Sequence, residues 1–487
     1  MNGKLVKLNA LTLSVLTALS VGVYAEEEKE DVERITVTAT KRNADVQDVS
    51  VAVTAIGADA IKQGGIDDIT NLEHLVPGMK FGQSGNEVRL ALRGTRTNNV
   101  GTEAEQVVGI FEDGVYIATT TQALGAYVDV ERIEVLRGPQ GTLYGRNTFG
   151  GTINIHTRKP NFDQTEGYVS GVLGTYNRVK YEGALNIPVS DTFAARFAVM
   201  GDSHDGYIEN TFVDGSSDDL SDKDVGYMRG AFRWAPTDEL DVTLRVGSST
   251  SKGNGNAIWG YQQIGGYIDG NYAGGHLYAD AYEGSSAPSV FDQGPWKVRR
   301  NMQSGVDIST DFYTLQVEYD LDFAVLQYTA NLTEFEGEQW YDPDYTDGAD
   351  PINSGFVGWT STQETTSHEL QLVSNDDLSL QWIAGIYMFD QTSNWNWLQL
   401  TNDALEVPHW DRSGDYLSDS FGAFANVTYE LEEGQRVVAG LRYAEDGKQQ
   451  RDPLDWANAD WSTWPPSIPV LTGEGDRDTW DKILWKL

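Results

Sequence analysis

From about residue 167 to its last residues, the chain alternates apolar and polar side chains in segments of about ten positions. Residues 315–321 read LQVEYDL, with apolar side chains at the odd positions and polar ones at the even positions. Residues 421–431 and 437–443 also carry an apolar row at odd positions, and residues 324–333 carry one at even positions. Because successive side chains of a strand point to opposite faces, this pattern predicts about eleven strands between Gly167 and Lys448 and a twelfth that begins near Thr479.

The connections between these segments are short on one side of the predicted sheet and long on the other. Short turns occur at residues 188–191 and 432–434, whereas residues 251–309, 336–362 and 391–415 form long polar loops. A half-buried soluble sheet also alternates, but short turns on one rim and long loops on the other are typical of a membrane barrel. Hydrocarbon offers no partner to an open sheet edge, so strands that span a membrane must close into a barrel.

The predicted fold class is therefore a transmembrane antiparallel β-barrel, with residues 161–487 as a partial barrel. Barrels that hold a folded plug have about 22 strands, so about 11–12 strands supply roughly half of one. We expect the sequence to be a fragment of a longer protein. The alternative is a complete barrel of about twelve strands, whose lumen would hardly house the domain that precedes it.

The first 25 residues have the layout of a cleaved signal peptide. Lys4 and Lys7 precede an apolar run over residues 8–23, Ala25 ends the segment with a small side chain, and acidic residues follow at once. A retained membrane anchor is the alternative, but the run is short for a spanning helix, which needs about 20 residues. The chain is thus predicted to be exported, and no later apolar run is long enough for a spanning helix.

Two regions separate the signal peptide from the barrel. Residues 26–42 begin charged and then become β-prone, so they can add as a strand to a partner's sheet or form an edge strand of the next domain. The β-prone stretch consists of Ile35, Thr36, Val37, Thr38 and Ala39. Residues 43–160 are predicted to form an α/β plug domain, with a strand at 51–56, a short helix capped by Asp67 or Asp68, and short strands separated by glycine turns.

Composition and motif content exclude several functional classes. Asp and Glu number 73 against 35 for Lys and Arg, a net charge of −38, so no nucleic-acid partner is expected because phosphate binding needs a basic face. The acidic excess fits a solvated surface, or loops that attract cationic or metal-bearing ligands. The six histidines lie far apart, cysteine is absent, and no HExxH, GxSxG or phosphate-loop motif occurs. We therefore predict no enzyme activity, no resident metal and no cofactor.

The most specific stretch of the sequence covers residues 129–155, which read DVERIEVLRGPQGTLYGRNTFGGTINI. LRG at 92–94 and DGVY at 113–116 precede it, and ITVTA at 35–39 precedes both. In this order the motifs resemble the plug domain and the TonB box of TonB-dependent outer-membrane receptors of the siderophore-receptor type. Residues 368–372 and 439–443 resemble barrel segments of the same family, whereas Phe149 stands where the family commonly has a small residue. The resemblance assigns the plug motif to Arg93, Gly94, Asp113, Gly114, Glu131, Arg137, Gly138, Gly141, Tyr144, Gly145, Gly150 and Gly151.

The resemblance implies an active importer in the bacterial outer membrane. Its ligand would be scarce, with a ferric siderophore as the leading class and vitamin B12, a glycan or another chelate left open. TonB of the inner-membrane TonB–ExbB–ExbD complex would pair with residues 35–39 by strand addition. Outer-membrane lipid and lipopolysaccharide would surround the barrel. A passive porin-like channel, a polypeptide-translocating usher-like barrel and a soluble adhesin are the alternatives.

Two further expectations concern plug arginines and loop aromatics. Arg93 and Arg137 are cations in otherwise apolar strands, and buried charges need opposite charges. The resemblance implies pairing with barrel-wall glutamates, for which Glu318 and Glu369 lie on predicted lumen-facing rows; hydrogen bonds to local carbonyls are the alternative. Aromatic residues of the long loops are candidate ligand contacts, although they also suit the interfacial girdle of a barrel. They are Trp259, Tyr261, Trp340, Tyr341, Trp395 and Trp397.

Overall fold

The structure, a computed structural model, describes most of the chain from Thr36 onward. The described ranges are 36–42, 44–84, 87–97, 105–119, 121–122, 127–211, 219–255, 267–268, 271–272, 296–298, 304–341, 357–375, 378–399, 415–432, 435–451 and 474–486. The predicted signal peptide and residue Ile35 of the predicted TonB box lie outside them, as do Trp259 and Tyr261.

The N-terminal domain is built from short strands. A five-stranded sheet has the order β3–β8–β9–β6–β7, β4 and β5 form a separate hairpin, and β1 pairs with β2. The strands are β1 Thr36–Val37, β2 Ala44–Asp45, β3 Val53–Gly57, β4 Met79–Ser84, β5 Glu87–Leu92, β6 Val108–Glu112, β7 Val115–Tyr116, β8 Val130–Arg137 and β9 Gly151–Thr157. One α-helix, α1, spans Ala58–Gln63, and two 3-10 turns span Val46–Asp48 and Ile69–His74.

The plug core lies between this sheet and the helical turns. The predicted helix after Asp68 is a 3-10 turn, capped where the Asp68 side chain accepts a hydrogen bond of 2.9 Å from the Thr70 N–H. Ile69 and Leu72 of that turn are fully buried, and they pack with Ile133 of β8 in the central apolar cluster. Helix α1 was not predicted, because its six residues are too few for a helical period to be seen.

The downstream region forms one antiparallel sheet of twelve strands, as the alternation predicted. Neighbours in the sheet are β10 Glu166–Leu173, β11 Val179–Ser190, β12 Phe193–His204, β14 Lys223–Trp234, β15 Leu240–Gly253, β19 Gly305–Asp320, β20 Ala324–Tyr341, β21 Val357–Ser374, β22 Leu380–Gln399, β23 Asp415–Glu432, β24 Gln435–Arg451 and β25 Glu474–Lys486. Short strands β13 Glu209–Asn210, β16 Tyr267–Ile268, β17 Asn271–Tyr272 and β18 Lys297–Val298 lie in the long connections.

Barrel strands inside the sheet, such as β21, turn one row of side chains to the plug and the other outward. On β21 the row Ser361, Gln363, Thr365 and Ser367 is buried, whereas His368 of the alternate row is exposed. Plug residues lie against the sheet from β11, where Asp67 pairs with Lys180, to β25, where Gly141 lies beside Leu484, so the sheet wraps around the plug. Within the described residues, no helix is both long and apolar enough to cross a membrane.

We call the end of the sheet with turns such as 191–192 and 321–323 the turn rim, and the opposite end the loop rim. The predicted loop bounds 251–309, 336–362 and 391–415 were wrong. β15, β20 and β22 continue to Gly253, Tyr341 and Gln399, and β19 and β21 already start at Gly305 and Val357. Near the loop rim both strand faces carry polar residues, so the apolar alternation that marks a strand is lost there.

Candidate functional site

The first described residues of the chain are packed between the plug and the barrel wall. Thr36 and Val37 pair with Asp45 and Ala44, so the segment is held by a two-residue strand. The side chain of Val37 is fully buried, and Ala39 is 1% exposed. Both pack against Leu136 of β8. In this arrangement residues 37–39 are buried or half-buried, and a partner could reach them fully only after they leave the plug.

A polar cluster on the plug sheet holds Thr38. The fully buried Glu134 carboxylate accepts hydrogen bonds from the Thr38 N–H at 2.8 Å and from Arg132 Nε at 2.8 Å. His156 Nε2 lies 3.1 Å from Thr38 Oγ1, and burial lowers the pKa of His156, which favours its neutral form. Tyr144 Oη donates to the Ala39 carbonyl at 3.2 Å. These contacts fix the backbone direction of the segment on the plug.

The next two residues tie the segment to the wall. Lys41 pairs with Glu369 of β21. Arg42 donates to Ser374 Oγ at 3.1 Å and to the carbonyl oxygen of Trp382 at 3.2 Å, at the turn-rim ends of β21 and β22. All these contacts are polar and partly accessible, so they can exchange with water without leaving a buried charge.

The strongest plug–wall contacts have the opposite polarity from the expected one. Asp129 accepts two hydrogen bonds of 2.6 Å from Arg196 of β12 and one of 3.2 Å from Arg229 of β14, and all three side chains are buried. Asp113 lies 3.1 Å from Arg245 of β15. Burial opposes ionisation of Asp113, but Arg245, Arg229 and the hydrogen bonds from Thr157 outweigh burial, so the pKa of Asp113 is lowered.

The expected pairing of Arg93 and Arg137 with Glu318 and Glu369 is therefore wrong. Glu369 pairs with Lys41, and Glu318 lies 3.6 Å from Lys159. Arg137 Nε is buried with no hydrogen-bond partner among the described residues. Arg93 has a left-handed backbone conformation, with φ +51°, and precedes Gly94. Here the plug supplies the buried acids and the wall supplies the buried arginines. A lumen-facing arginine row on β12, β14 and β15 was visible in the sequence, but the plug acids that neutralise it lie far away along the chain.

The remaining plug-motif residues form a tight loop against the wall. Gly145 has φ +83°, and a Cβ there would lie 2.6 Å from Arg442 of β24; Gly151 has φ +144°, and a Cβ there would lie 2.2 Å from the Leu136 carbonyl oxygen. Only glycine fits such positions without strain. Tyr144 Oη accepts a 2.8 Å hydrogen bond from Asn154. The others are Gly94 and Gly114 at turns, Gly138, Gly141 and Gly150 beside neighbouring backbone or side chains, and half-exposed Glu131, which pairs with Arg132.

Two cavities lie between the plug and the wall formed by β15, β19, β20 and β21. The smaller, about 90 Å³, is lined on the loop-rim side by Ser249, Thr310 and Thr333. The larger, about 730 Å³, reaches the turn rim and is lined by Lys41 and Glu369 among others. No cluster of three or more potential metal ligands occurs among the described residues.

The proposed loop aromatics can be placed only in part. Trp340 and Tyr341 end β20, and Trp395 and Trp397 lie on β22 opposite Ser361 and Trp359 in the strand register. All four positions are at the loop rim, but no contact with a ligand is tested, so their role stays a prediction.

Comparison with known proteins gives consistent results. Residues 45–152 match the family model of the TonB-dependent receptor plug domain. The chain is 24% identical over 453 residues to the pesticin receptor of Yersinia pestis, covering 91% of this chain and 60% of that protein. It is 28% identical over 207 residues to the catecholate siderophore receptor Fiu of Escherichia coli K12, covering 40% of this chain and 24% of that protein.

The solved structures agree with the fold. The ferric yersiniabactin uptake receptor FyuA from Yersinia pestis superimposes with a TM-score of 0.71 at 18% identity, covering 89% of this chain and 61% of that one. The closed form of the ferric-catecholate import receptor Fiu from E. coli K12 gives a TM-score of 0.66 at 16% identity, covering 91% of this chain and 63% of that one. The chain thus spans about 60% of the length of the relatives that it matches from end to end.

Proposed function

Since the chain belongs to the TonB-dependent outer-membrane receptors and supplies their plug and twelve barrel strands, we propose that it imports a ferric siderophore with energy delivered through TonB. The observation that carries the proposal is the buried or half-buried position of residues 37–42. A segment that is held by a two-residue strand and by polar contacts can be stowed in one state and extended in another.

The energy-coupling step rests on strand addition. A partner that pairs with an extended segment gains main-chain hydrogen bonds, and it needs free N–H and C=O groups to do so. In the stowed state Val37 pairs with Ala44, so TonB would have to compete with β2 or wait until the segment is released. ExbB, ExbD and the surrounding lipopolysaccharide are the further partners expected for such a receptor.

The ligand class rests on the relatives' names and on the filled lumen. The similar proteins are described as receptors for pesticin, for catecholate siderophores and for ferric yersiniabactin, so a ferric chelate is the ligand class that we propose here. A passive porin needs an open water path, whereas here the plug is tied to the wall by buried ion pairs at Asp129 and Asp113. These ties disfavour the porin-like and usher-like alternatives, and the family consists of receptors rather than enzymes.

The test compares two substitutions of one residue in the full-length receptor. Val37→Pro removes a backbone N–H and blocks strand addition, whereas Val37→Ala keeps the backbone and removes only side-chain packing. Cells would be offered radioactive iron loaded on catecholate, phenolate and hydroxamate chelates in turn. We expect both variants to bind the same chelate as the wild type, and only Val37→Pro to lose uptake. Unimpaired uptake by Val37→Pro would refute TonB coupling through this segment.

A further inference from the structure

The two cavities beside β15, β19, β20 and β21 lie one above the other along these strands. The register pairs Ser249 with Thr310 and Thr333 with Thr365 around the smaller cavity, several positions nearer the loop rim than Gln327 and Gln371, which line the larger one. The smaller cavity therefore lies on the loop-rim side and the larger one on the turn-rim side.

One group of three residues separates them. Arg245 of β15 lies 3.1 Å from Asp113, and its Nη1 donates to Gln316 of β19 at 2.6 Å. Gln316 Nε2 in turn donates to the Asp113 carbonyl oxygen at 2.8 Å. Asp113 and Arg245 line both cavities. The three residues thus form a closed ring of contacts between the tip of the β6–β7 hairpin and the wall, which we call the partition.

The surroundings of the partition are polar and incompletely satisfied. Among the described residues, Arg245 Nη2, Tyr127 Oη and Gln122 Nε2 are buried donors without a hydrogen-bond partner, and all three residues line the smaller cavity. Arg245 is only 2% exposed. Buried donors are normally satisfied, so such a group indicates a space that receives water or a polar ligand.

The volumes locate the narrowest point. A cavity of about 730 Å³ is within the range of sites that hold a drug-sized ligand, which is roughly 300–1,000 Å³. The space of about 90 Å³ lies well below that range. A chelate that fits the larger cavity must therefore be obstructed at the partition and the space above it.

We propose that the Asp113–Arg245–Gln316 partition is the gate of the ligand's route, and that the route follows the wall of β15, β19, β20 and β21. This inference rests on the proposed import function. The gate opens when the tip of the β6–β7 hairpin leaves the wall. Thr38, Lys41 and Arg42 line the larger cavity, so removal of the N-terminal segment enlarges the space below the gate.

The gate has a physical connection to that segment. Thr38 is bonded to Glu134 of β8, and Glu134 pairs with Asn154 of β9 in the strand register. β9 ends at Thr157, whose N–H and hydroxyl donate to the Asp113 carboxylate at 2.9 and 2.6 Å. Displacement of β8 and β9 by a pull on the segment therefore acts on the residue that closes the gate.

The first test uses the absence of cysteine from the chain. In the full-length receptor, Val115→Cys with Gln316→Cys is joined by a reductant-cleavable bismaleimide, which tethers the hairpin to the wall. Val115 is used because its neighbour Gly114 has φ +84°, which a cysteine adopts only with strain. The matched control, Asp67→Cys with Lys180→Cys, tethers the plug to β11 away from the route. We expect the gate tether to abolish uptake of the imported ferric chelate and cleavage to restore it, while the control tether leaves uptake within about twofold of the wild type. Equal loss with both tethers, or loss with neither, overturns the gate.

A second test separates failure of the gate from failure of the import proposal. Arg245→Ala with Gln316→Ala removes two sides of the partition, and ion conductance of the purified receptor in planar bilayers needs neither TonB nor a chelate. Arg233→Ala, which removes a wall arginine paired with Asp241 outside the two cavities, is the control. We expect conductance to rise at least threefold in the double variant only. Unchanged conductance overturns the gate even if chelates are imported, whereas raised conductance upholds it even if no ferric chelate is taken up.

Discussion

Asp129→Asn is the substitution that we expect to weaken the binding of the plug to the barrel wall most. Asp129 has no exposed side-chain surface, and its carboxylate is shared by Arg196 and Arg229, which are 4% and 3% exposed. Its backbone has φ +54°, a conformation that asparagine adopts almost as readily as aspartate. The change therefore removes the charge while it leaves the size of the side chain and its backbone preference nearly unchanged.

The expected loss of free energy depends on the two arginines, Arg196 and Arg229, that stay buried after the substitution. Without the carboxylate, two guanidinium groups stay buried, and Arg196 keeps only the exposed carboxylate of Glu166 at 3.8 Å. Breaking a buried pair in this way costs about 3–5 kcal/mol. Asp67 offers a matched comparison, because it also joins the plug to the wall, through Lys180, but is one-third exposed. Such an exposed pair contributes about 0–1 kcal/mol, so Asp67→Asn should change little.

The assay is urea-driven release of the plug from the detergent-solubilised receptor, followed by protease cleavage while the barrel stays folded. For a domain of this size the urea dependence is about 2 kcal/mol per molar, so a loss of 3 kcal/mol lowers the midpoint by about 1.5 M. Asp67→Asn should lower it by less than about 0.5 M. Equal midpoints for the two variants would show that the buried pairs do not hold the plug, and the reasoning would fail.

Two further predictions concern single plug carboxylates. Burial raises the pKa of Glu112 from its ordinary 4.5 to about 7, so ionisation destabilises the folded plug increasingly as pH rises from 4.5 through 7, by about 3 kcal/mol when complete. Glu112→Gln should therefore raise the urea midpoint of plug release at pH 8 and leave it unchanged at pH 4; a pH-independent effect would contradict this. Glu134→Gln weakens the charged acceptor of Thr38 and should release the N-terminal segment, so that a soluble TonB fragment binds about tenfold more tightly, whereas Glu131→Gln, at a half-exposed carboxylate, should not alter the affinity.

The architecture was predictable because it depends on local and periodic signals. Alternation over residues 315–321 or 421–431 marks a strand wherever its two faces meet different surroundings, and the twelve-stranded sheet confirms it. The glycines of the plug loop were also visible, since Gly145 and Gly151 adopt backbone conformations that other residues avoid. Strand ends near the loop rim were not predicted, because there both faces of β20 and β22 are polar.

The partners of buried charges could not be predicted in the same way. Glu369 was expected to meet a plug arginine, yet the structure gives it Lys41, which is 328 residues away along the chain. A plug arginine and Lys41 both satisfy the rule that a buried charge needs an opposite charge, and the sequence alone does not say which of them lies beside Glu369 in the folded protein. The sign of the plug–wall contacts is therefore a property of the packing, and Asp129 with Arg196 could be found only there.

The two acidic plug residues also differ in a way that bears on how the plug can move. Around Asp129 the interface is closely packed, with Val128 buried against Ala184 and Ala198 of the wall. Around Asp113 it borders both cavities, and Arg245 Nη2 has no hydrogen-bond partner among the described residues. Moving the plug away from the wall breaks fewer dispersion contacts on the Asp113 side than on the Asp129 side, because the cavities there already lack such contacts. The Asp129 side then stays attached to the wall while the β6–β7 hairpin moves. Asp129→Asn should therefore release the whole plug, whereas Arg245→Ala with Gln316→Ala should open only the route beside Arg245.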